Sequence, residues 1–372
     1  MKRVLASIFA LTILLLGAPI ASAANVAVTV SEPTHREIDG TFIDDELTAL
    51  LSYGGRLGQL VFNPPRGNRT WFIDSQLIEE VTAMTSDYVL LGGEKGVGGT
   101  VAKNWLNQLN AITRGDQISA LPFGSPPSYW ISKLAPDKSK FYLSYGAKRL
   151  TALLNRQVSQ ISDYPNSTSP RLENSTITAF KEAQRVLDIY SSYMTQDEID
   201  KFQSQSAAVF HPDLKPAVRT SLALDLLSSS YAISEKIRLA PGRFTVTTTK
   251  QNLPITLIND FPNPAKISIR IGTLNGKVLV ENVPDQIVAG KSKIQVMIPV
   301  EVVTSGSSTL VVNIYSEKKM RLGNQMFYPI TLKVISPIAT WITTGAAIVL
   351  FVSALIQSFR RIKRKRGRIS NE

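Results

Sequence analysis

Carboxylates, hydroxyls and two histidines are the side chains in this sequence with types suited to acid–base or nucleophilic chemistry. Cysteine is absent, which excludes disulfides, iron–sulfur clusters, thiolate zinc sites and a thiol nucleophile. His35 and His211 stand 176 positions apart, with no cluster of metal-ligating residues near either. A histidine metal site and imidazole-dependent catalysis are therefore not expected, and neither is a metal or cofactor. What remains is carboxylate chemistry, and glycoside hydrolysis is the reaction that asks for two opposed carboxyl groups.

Asp74 is the first candidate. It closes the run Thr70-Trp-Phe-Ile-Asp74 and directly precedes a helical pattern. Ligands of α/β folds gather at the carboxyl ends of strands, so an acid there can meet a substrate. The competing role is a helix N-cap, in which the same carboxylate accepts free backbone N–H groups. Glu94, Asp116 and Asp137 are possible partners, and nothing in their spacing selects one. A second strand end, Leu121-Pro-Phe-Gly-Ser-Pro-Pro127, is followed by Tyr129 and Trp130. Their rings suit the faces of sugars and equally suit packing at a domain edge. The glycine-rich stretch Gly92–Gly99 has neither the register of a phosphate loop nor the third glycine of a dinucleotide fingerprint, and reads as a surface loop.

These residues need elements to hold them. Hydrophobic residues make up 44% of the 372 and charged residues 19%, enough for packed cores and unlike a disordered chain. After the N-terminal stretch, Ile43–Leu51 reads as a helix. Arg56–Phe62, Thr70–Asp74 and Gln117–Pro122 read as strands, with helices at Ser75–Met84 and Asn104–Ala111 between them. This alternation predicts an α/β domain with parallel strands, too small for a complete eight-fold barrel. From Asn174 to Arg238 the spacing is helical, with a capping box at Thr195-Gln-Asp-Glu198. From Leu239 to Val334, about seven short alternating segments separated by Gly, Asn and Pro predict a β-sandwich of immunoglobulin-like type.

The net charge of +12 resembles a nucleic-acid signal until it is located. Lys2 and Arg3 open the chain, and the last thirteen residues hold seven basic residues against one acid, so the middle is nearly balanced. At the N-terminus the charged start, the apolar run Val4–Leu16 and Ala21-Ser22-Ala23 form a signal-peptide pattern, with cleavage expected after Ala23. Near the C-terminus, Ile338–Ile356 is an uncharged run of nineteen residues, close to the length of a membrane span. Arg360, Arg361, Lys363, Arg364, Lys365 and Arg366 follow at once. Positive residues beside a span stay cytoplasmic, so the body of the chain is expected to face outward and nucleic acid is not an expected partner.

Several short motifs, taken in order, carry a resemblance. These are Trp71-Phe-Ile-Asp74-Ser-Gln-Leu77 with Met84, Trp105-Leu106, Ala120-Leu-Pro-Phe-Gly124, Arg243-Phe-Thr-Val-Thr-Thr-Thr249, Leu253-Pro-Ile-Thr-Leu, Asn259 and the Arg-rich tail. In these the chain resembles an uncharacterised, domain-of-unknown-function family of actinobacterial exported proteins with one C-terminal span. Two departures stand out. Where the family tends to read Asp-Pro-Asp, this chain has Ser125-Pro126-Pro127, and Asp74 is followed by Ser75 instead of proline. Members are often encoded beside a lipid-linked peptidoglycan precursor flippase, so the resemblance implies a cell-envelope role and names no reaction.

The expectation is a multidomain α/β + β protein. It comprises a signal peptide at 1–23, a partial β/α-barrel-like domain at 24–170, a helical segment at 171–238, a β-sandwich at 239–335, a single transmembrane helix at 338–359 and a basic cytoplasmic tail at 360–372. As a type I single-pass protein of the cell membrane, it is expected to act as a non-catalytic accessory or binding protein. Its expected partners are the lipid bilayer and either a membrane protein of cell-wall synthesis or wall glycan. The alternative is a glycan hydrolase or deacetylase using Asp74 and a second carboxylate, Glu94 or Asp116 among them.

Overall fold

The computed structural model describes residues 25–165, 169–333 and 337–366. The expected signal segment at 1–23 lies outside them. The chain divides into two compact units, one running to Leu187 and resuming over Gln196–Tyr231, the other formed by Asp188–Thr195 and the chain from Ala232.

The first unit is built on four parallel strands in the sequential order β1 (Val26–Val30), β2 (Arg69–Ile73), β3 (Gln117–Ala120) and β4 (Ser159–Gln160). Val30 lies opposite Ile73, and Ile73 opposite Ala120. Crossovers between neighbouring parallel strands share one hand, so strands laid down in sequence send their helices to the same face of the sheet. That face is the core. Val28, Val30, Trp71, Ile73, Ile118 and Ala120 meet Leu47 and Leu51 of α1 (Glu46–Leu51), Leu57 and Val61 of α2 (Arg56–Phe62) and Leu77 and Val81 of α3 (Ser75–Met84). Trp105 and Leu109 of α4 (Gly99–Ile112) join the same cluster. The strand alternation places Ala27, Thr29 and Phe72 on the other face, where Ala27 and Thr29 are exposed.

Arg56–Phe62 corrects the expectation of a strand. Its apolar run is too short to distinguish period two from period four, and Leu57 and Val61 are buried together as successive turns of a helix. A Cβ on Gly58 would fall 1.7 Å from the Ser52 carbonyl oxygen, so the α1–α2 corner closes only around glycine. After β3 come α5 (Ser128–Leu134) and α6 (Ser139–Leu154), then α7 (Asn174–Tyr190), α8 (Gln196–Ser206) and α9 (Pro216–Ser234).

The second unit holds two sheets. One has β10 (Gln286–Val288), β8 (Ala265–Thr273), β12 (Gly306–Ser316), β13 (Arg321–Leu332) and β6 (Phe244–Val246), in that order. The other has β5 (Ile237–Leu239), β7 (Lys250–Asn259), β11 (Ser292–Val302) and β9 (Val278–Val280). All pairings are antiparallel except β13 with β6. Leu253, Ile255 and Leu257 of β7 and Leu310, Val312 and Ile314 of β12 are buried at alternate positions, as expected of sheets with one apolar face. Asn259 is fully buried at the end of β7. Its amide donates to the carbonyls of Asn263 (2.9 Å) and Ala289 (3.1 Å), and its Oδ1 accepts from Phe261 N (3.0 Å), which fixes the corner.

The last element, α10 (Pro337–Arg366), contains one stretch, Trp341–Arg361, that is long and apolar enough to cross a membrane. Its mean hydropathy is 1.9 and none of it is buried in the protein. Arg360 and Arg361 stand at the end of that stretch, and the helical backbone continues through Lys363, Arg364, Lys365 and Arg366.

Candidate functional site

Asp74 follows β2 directly and caps α3, accepting the Gln76 backbone N–H at 2.9 Å. Both sequence readings meet in this residue: it is a helix N-cap and it stands at a strand end. The carboxylate is fully buried. Oδ1 also takes the Gly124 N–H at 3.1 Å, and Oδ2 takes the Ser125 hydroxyl at 2.7 Å. Burial pushes its pKa up to about 6, with the charge of nearby Glu80 adding to the rise and the three hydrogen bonds opposing it.

The loop after β3 is shaped to make this clasp. Gly124 (φ +72°) and Ser125 (φ +43°) both occupy the left-handed region, where a side chain is disfavoured. A Cβ on Gly124 would lie 2.5 Å from Gln76 Oε1, so only glycine brings its N–H to Asp74.

From Ser125 a line of hydrogen bonds leads to a residue the sequence reading set aside. Ser31, just past β1, donates its hydroxyl to Ser125 Oγ at 3.1 Å and lies 3.2 Å from His211 Nε2. His211 sits before α9 and is 3% exposed. Its Nδ1 accepts the Asp213 N–H at 3.2 Å, which places the proton of the neutral ring on Nε2, directed at Ser31. Burial pushes the His211 pKa down to about 4, so the ring is neutral near pH 7. This tautomer cannot serve as a general base toward Ser31, because the facing nitrogen already carries its proton.

A cleft of about 660 Å³ opens over these groups. Ser31, Ser125 and His211 line it together with Phe72, Leu121, Pro126 and Ile161, and Asp163 and Asp213 stand on its wall. It runs from the uncovered face of the sheet, at Ala27, Thr29 and Phe72, to the carboxyl ends of the parallel strands, where α/β folds bind ligands.

The other sequence candidates are dispersed. Asp116 precedes β3 at the opposite end of the sheet. It accepts from Arg69 Nε (2.9 Å) and the Trp71 indole (2.8 Å), tying together the starts of β2 and β3. The five residues of β2 separate it from Asp74 by roughly 15 Å at ~3.3 Å each. Glu94 is exposed in the Gly92–Gly99 loop, where its peptide carbonyl accepts from Leu90 N. Asp137 is exposed beside Lys138. Trp130 is buried, donates its indole N–H to the Pro170 carbonyl (2.9 Å) and stacks on Phe210, while Tyr129 is half exposed with its ring edge on Trp130. Neither ring lines the cleft.

A second polar network extends from the first. The Gln76 amide donates to Glu80 (2.9 Å), and buried Glu80 also accepts from the Thr34 hydroxyl (2.6 Å) and His35 N (3.0 Å). The His35 ring pairs with Asp44 through Nδ1 at 2.8 Å, and Glu32 lies 4.0 Å from Nε2. Burial pushes the His35 pKa down, but the bonds to Asp44 and Glu32 and the charge of Glu80 outweigh it and hold the ring up at about 10. Among the described residues, no group of three or more such side chains is arranged to hold a metal ion.

No curated protein matches the chain significantly in sequence. Among solved structures it is similar to the C. elegans MSP family member WR4, at 11% identity and a TM-score of 0.21, covering 26% of this chain and 97% of that one. It is also similar to the ASH/PapD-like domain of human CEP192, at 10% identity and a TM-score of 0.22, covering 27% and 87%. A third is the E. coli chaperone DraB, at 13% identity and a TM-score of 0.21, where 25% of this chain spans about half of that one, 53%. Residues 139–371 match a protein family described as a family of unknown function. Because that match takes in more than half of the sequence, the chain belongs to this family, DUF6049.

Proposed function

We propose that the protein is a membrane-tethered binding protein of the cell envelope whose first unit holds a polar, glycan-type ligand in the cleft at its strand ends. One observation carries this reading: the carboxylate best placed for catalysis is sealed. Asp74 has no exposed surface and its oxygens are occupied by Gln76 N, Gly124 N and the Ser125 hydroxyl. It shapes the wall of a cleft and does not touch what enters. The carboxylates named as its partners lie elsewhere, so the two-acid arrangement of a glycosidase is not assembled around it.

The finer expectations fit the same picture. Four parallel strands in sequential order are the arrangement of part of a β/α barrel. The two sheets of the second unit suit an immunoglobulin-like spacer or docking module before the membrane. With the signal peptide removed and α10 in the bilayer, the basic tail lies in the cytoplasm and both units face outward. The actinobacterial family resembled in sequence, with its flippase neighbours, makes a protein of cell-wall synthesis the partner to test.

The test has two parts. Full-length protein in detergent micelles is titrated with soluble wall-glycan fragments while cleft resonances such as Ser125 and His211 are followed by NMR. Saturable shifts confined to the cleft are expected. Cross-linking in native membranes is expected to recover a wall-synthesis protein. Turnover of wall glycan that Asp74→Asn abolishes, without loss of folding, would overturn the non-catalytic reading.

A further inference from the structure

We propose that the cleft at the strand ends selects a primary ammonium group, its ligand being an amine carried on a sugar ring or another partly apolar body. The inference rests on the reading that the cleft binds a ligand, and goes further in naming the group recognised.

The direction of the protons on the cleft floor is fixed from its buried end. An ionised carboxylate only accepts hydrogen bonds. The Ser125 proton is therefore committed to Asp74 Oδ2, at 2.7 Å. Ser125 Oγ then receives the Ser31 proton, at 3.1 Å. His211, with Nδ1 occupied by the Asp213 N–H, directs its one ring proton at Ser31. Each of the three groups has given its only proton to a neighbour. The two hydroxyls present lone pairs to the cleft and nothing to donate.

The charges on the wall agree. Asp163 and Asp213 both line the cleft, and among the described residues neither makes an ion pair. Among the described residues, no lysine or arginine lines it. The guanidinium groups nearby direct their hydrogen bonds elsewhere: Arg56 bonds Glu32, which pairs its charge, and the Ser31 carbonyl, while Arg219 bonds the carbonyls of Val209 and His211 and its charge acts at His211 against that of Asp213. Thr29 and Ser162 can turn their hydroxyls either way and do not select. Phe72, Leu121 and Pro126 offer apolar surface beside the acceptors.

An ammonium group matches on both counts. It brings three donors and no acceptor, and its charge is attracted by two carboxylates. A carboxylate or phosphate would meet lone pairs and like charge. An N-acetylated amine would bring one donor, an added acceptor and no charge.

The experiment titrates the full chain in micelles with a glucosamine trimer, its fully N-acetylated counterpart and hexylammonium. Both cationic probes are expected to shift cleft resonances and to bind at least about tenfold more tightly than the acetylated trimer. Asp163→Asn combined with Asp213→Asn is expected to weaken the cationic probes by about tenfold while leaving the unfolding midpoint unchanged. If the acetylated trimer binds as tightly as the free amine, the ammonium inference falls and the glycan reading stands. Hexylammonium binding without either trimer upholds the ammonium inference and removes the glycan. If none of the three binds in the cleft, both fall.

Discussion

The two histidines make opposite use of similar burial. Each sits beyond a strand end of the first unit, in a pocket that alone would disfavour a charged ring. Around His35 the fold supplies carboxylates in direct contact, Asp44 and Glu32, with Glu80 close by, and the ring is held protonated to about pH 10. Around His211 the direct partners are a hydroxyl and a backbone N–H, while the charges of Asp213 and Glu32 act from farther off and are opposed by Arg219 and Arg56. That ring stays neutral down to about pH 4. The contrast separates a charged pin, which ties the loop after β1 to Asp44 ahead of α1, from a neutral donor that helps set the polarity of a cleft. Burial does not decide the charge of a histidine; the group touching each nitrogen does.

Removing the pin has the largest expected effect. His35→Leu keeps the hydrogen bonds of Glu80, one of which comes from the backbone N–H of residue 35, but it removes the cation beside buried Glu80, the partner of Asp44, and one of the two cations at Glu32, which retains Arg56. Loss of one member of a buried charged network costs about 3–5 kcal/mol. Urea unfolding of the full chain in micelles measures this, and a loss below 1 kcal/mol would refute the charged pin. The pH dependence has a definite sign. The folded pKa lies above the ordinary 6.5, so the His35 contribution is complete below pH 6.5 and fades as pH rises through about 10. The difference between wild type and His35→Leu should shrink across that alkaline window.

Asp74 comes next. Asp74→Ala strands the Gln76 and Gly124 N–H groups and the Ser125 hydroxyl, and a buried unpaired polar group costs about 1–3 kcal/mol. A total loss of about 2–3 kcal/mol is expected. Asp74→Asn keeps an acceptor for the two N–H groups and should cost about 1 kcal/mol. Because Asn can donate to Ser125, the variant also reverses the hydroxyl chain. Glucosamine-trimer binding should then weaken more than stability does, and equal binding by wild type and variant would break the link between the buried carboxylate and the cleft.

What was legible in the sequence follows the range of the interactions. Ser75–Met84 is a helix with the expected bounds and Asp74 as its cap, because capping and four-residue spacing are written within a few positions. Alternation in the second unit was equally local: Leu253, Ile255 and Leu257 face one way along β7 whatever their partners. The helix Ser139–Leu154 went unread because its inward face includes Gly146 as well as Tyr142, Leu150 and Leu154, and a glycine adds nothing to an apolar period. The His211 site was invisible for a different reason. Ser31 and His211 are 180 positions apart, and only β1 and the turn before α9 bring them together. The local signal that existed, His211-Pro212-Asp213 ahead of a helix opening at Pro216, announces a loop and not what the loop faces.

A smaller effect is expected at His211, with the opposite pH sign from His35. His211→Gln can keep an N–H directed at Ser31 while removing the titration, so the loss near pH 7 should be about 1 kcal/mol. The folded pKa is about 4, below the ordinary 6.5. The unfolded ring therefore takes up a proton first as the solution is acidified, and the wild type loses stability between pH 6.5 and 4. Asp74 acts against this: with a folded pKa raised to about 6, it favours the folded state at the acid end and costs stability as pH rises from 3.8 to 6. His211→Gln should remove the first contribution and leave the second, making stability less sensitive to acid. An unchanged acid limb would mean that the His211 ring is protonated in the folded protein after all.

The smallest effects belong to two acids first paired with Asp74 on sequence grounds. Glu94 is exposed in a glycine-rich turn and serves through its peptide carbonyl, which substitution leaves in place. Asp137 is exposed, with the neighbouring Lys138 as its ion-pair partner among the described residues. Exposed ion pairs contribute little, and surface changes away from caps and cores fall within about 0.5 kcal/mol. Glu94→Gln and Asp137→Asn should each leave the urea midpoint within that margin and the affinity for the glucosamine trimer unchanged. A tenfold loss of binding in either would move the recognition site from the cleft over Ser31 and Ser125 to the loops around it, and the hydroxyl chain ending at Asp74 would then be a matter of folding alone.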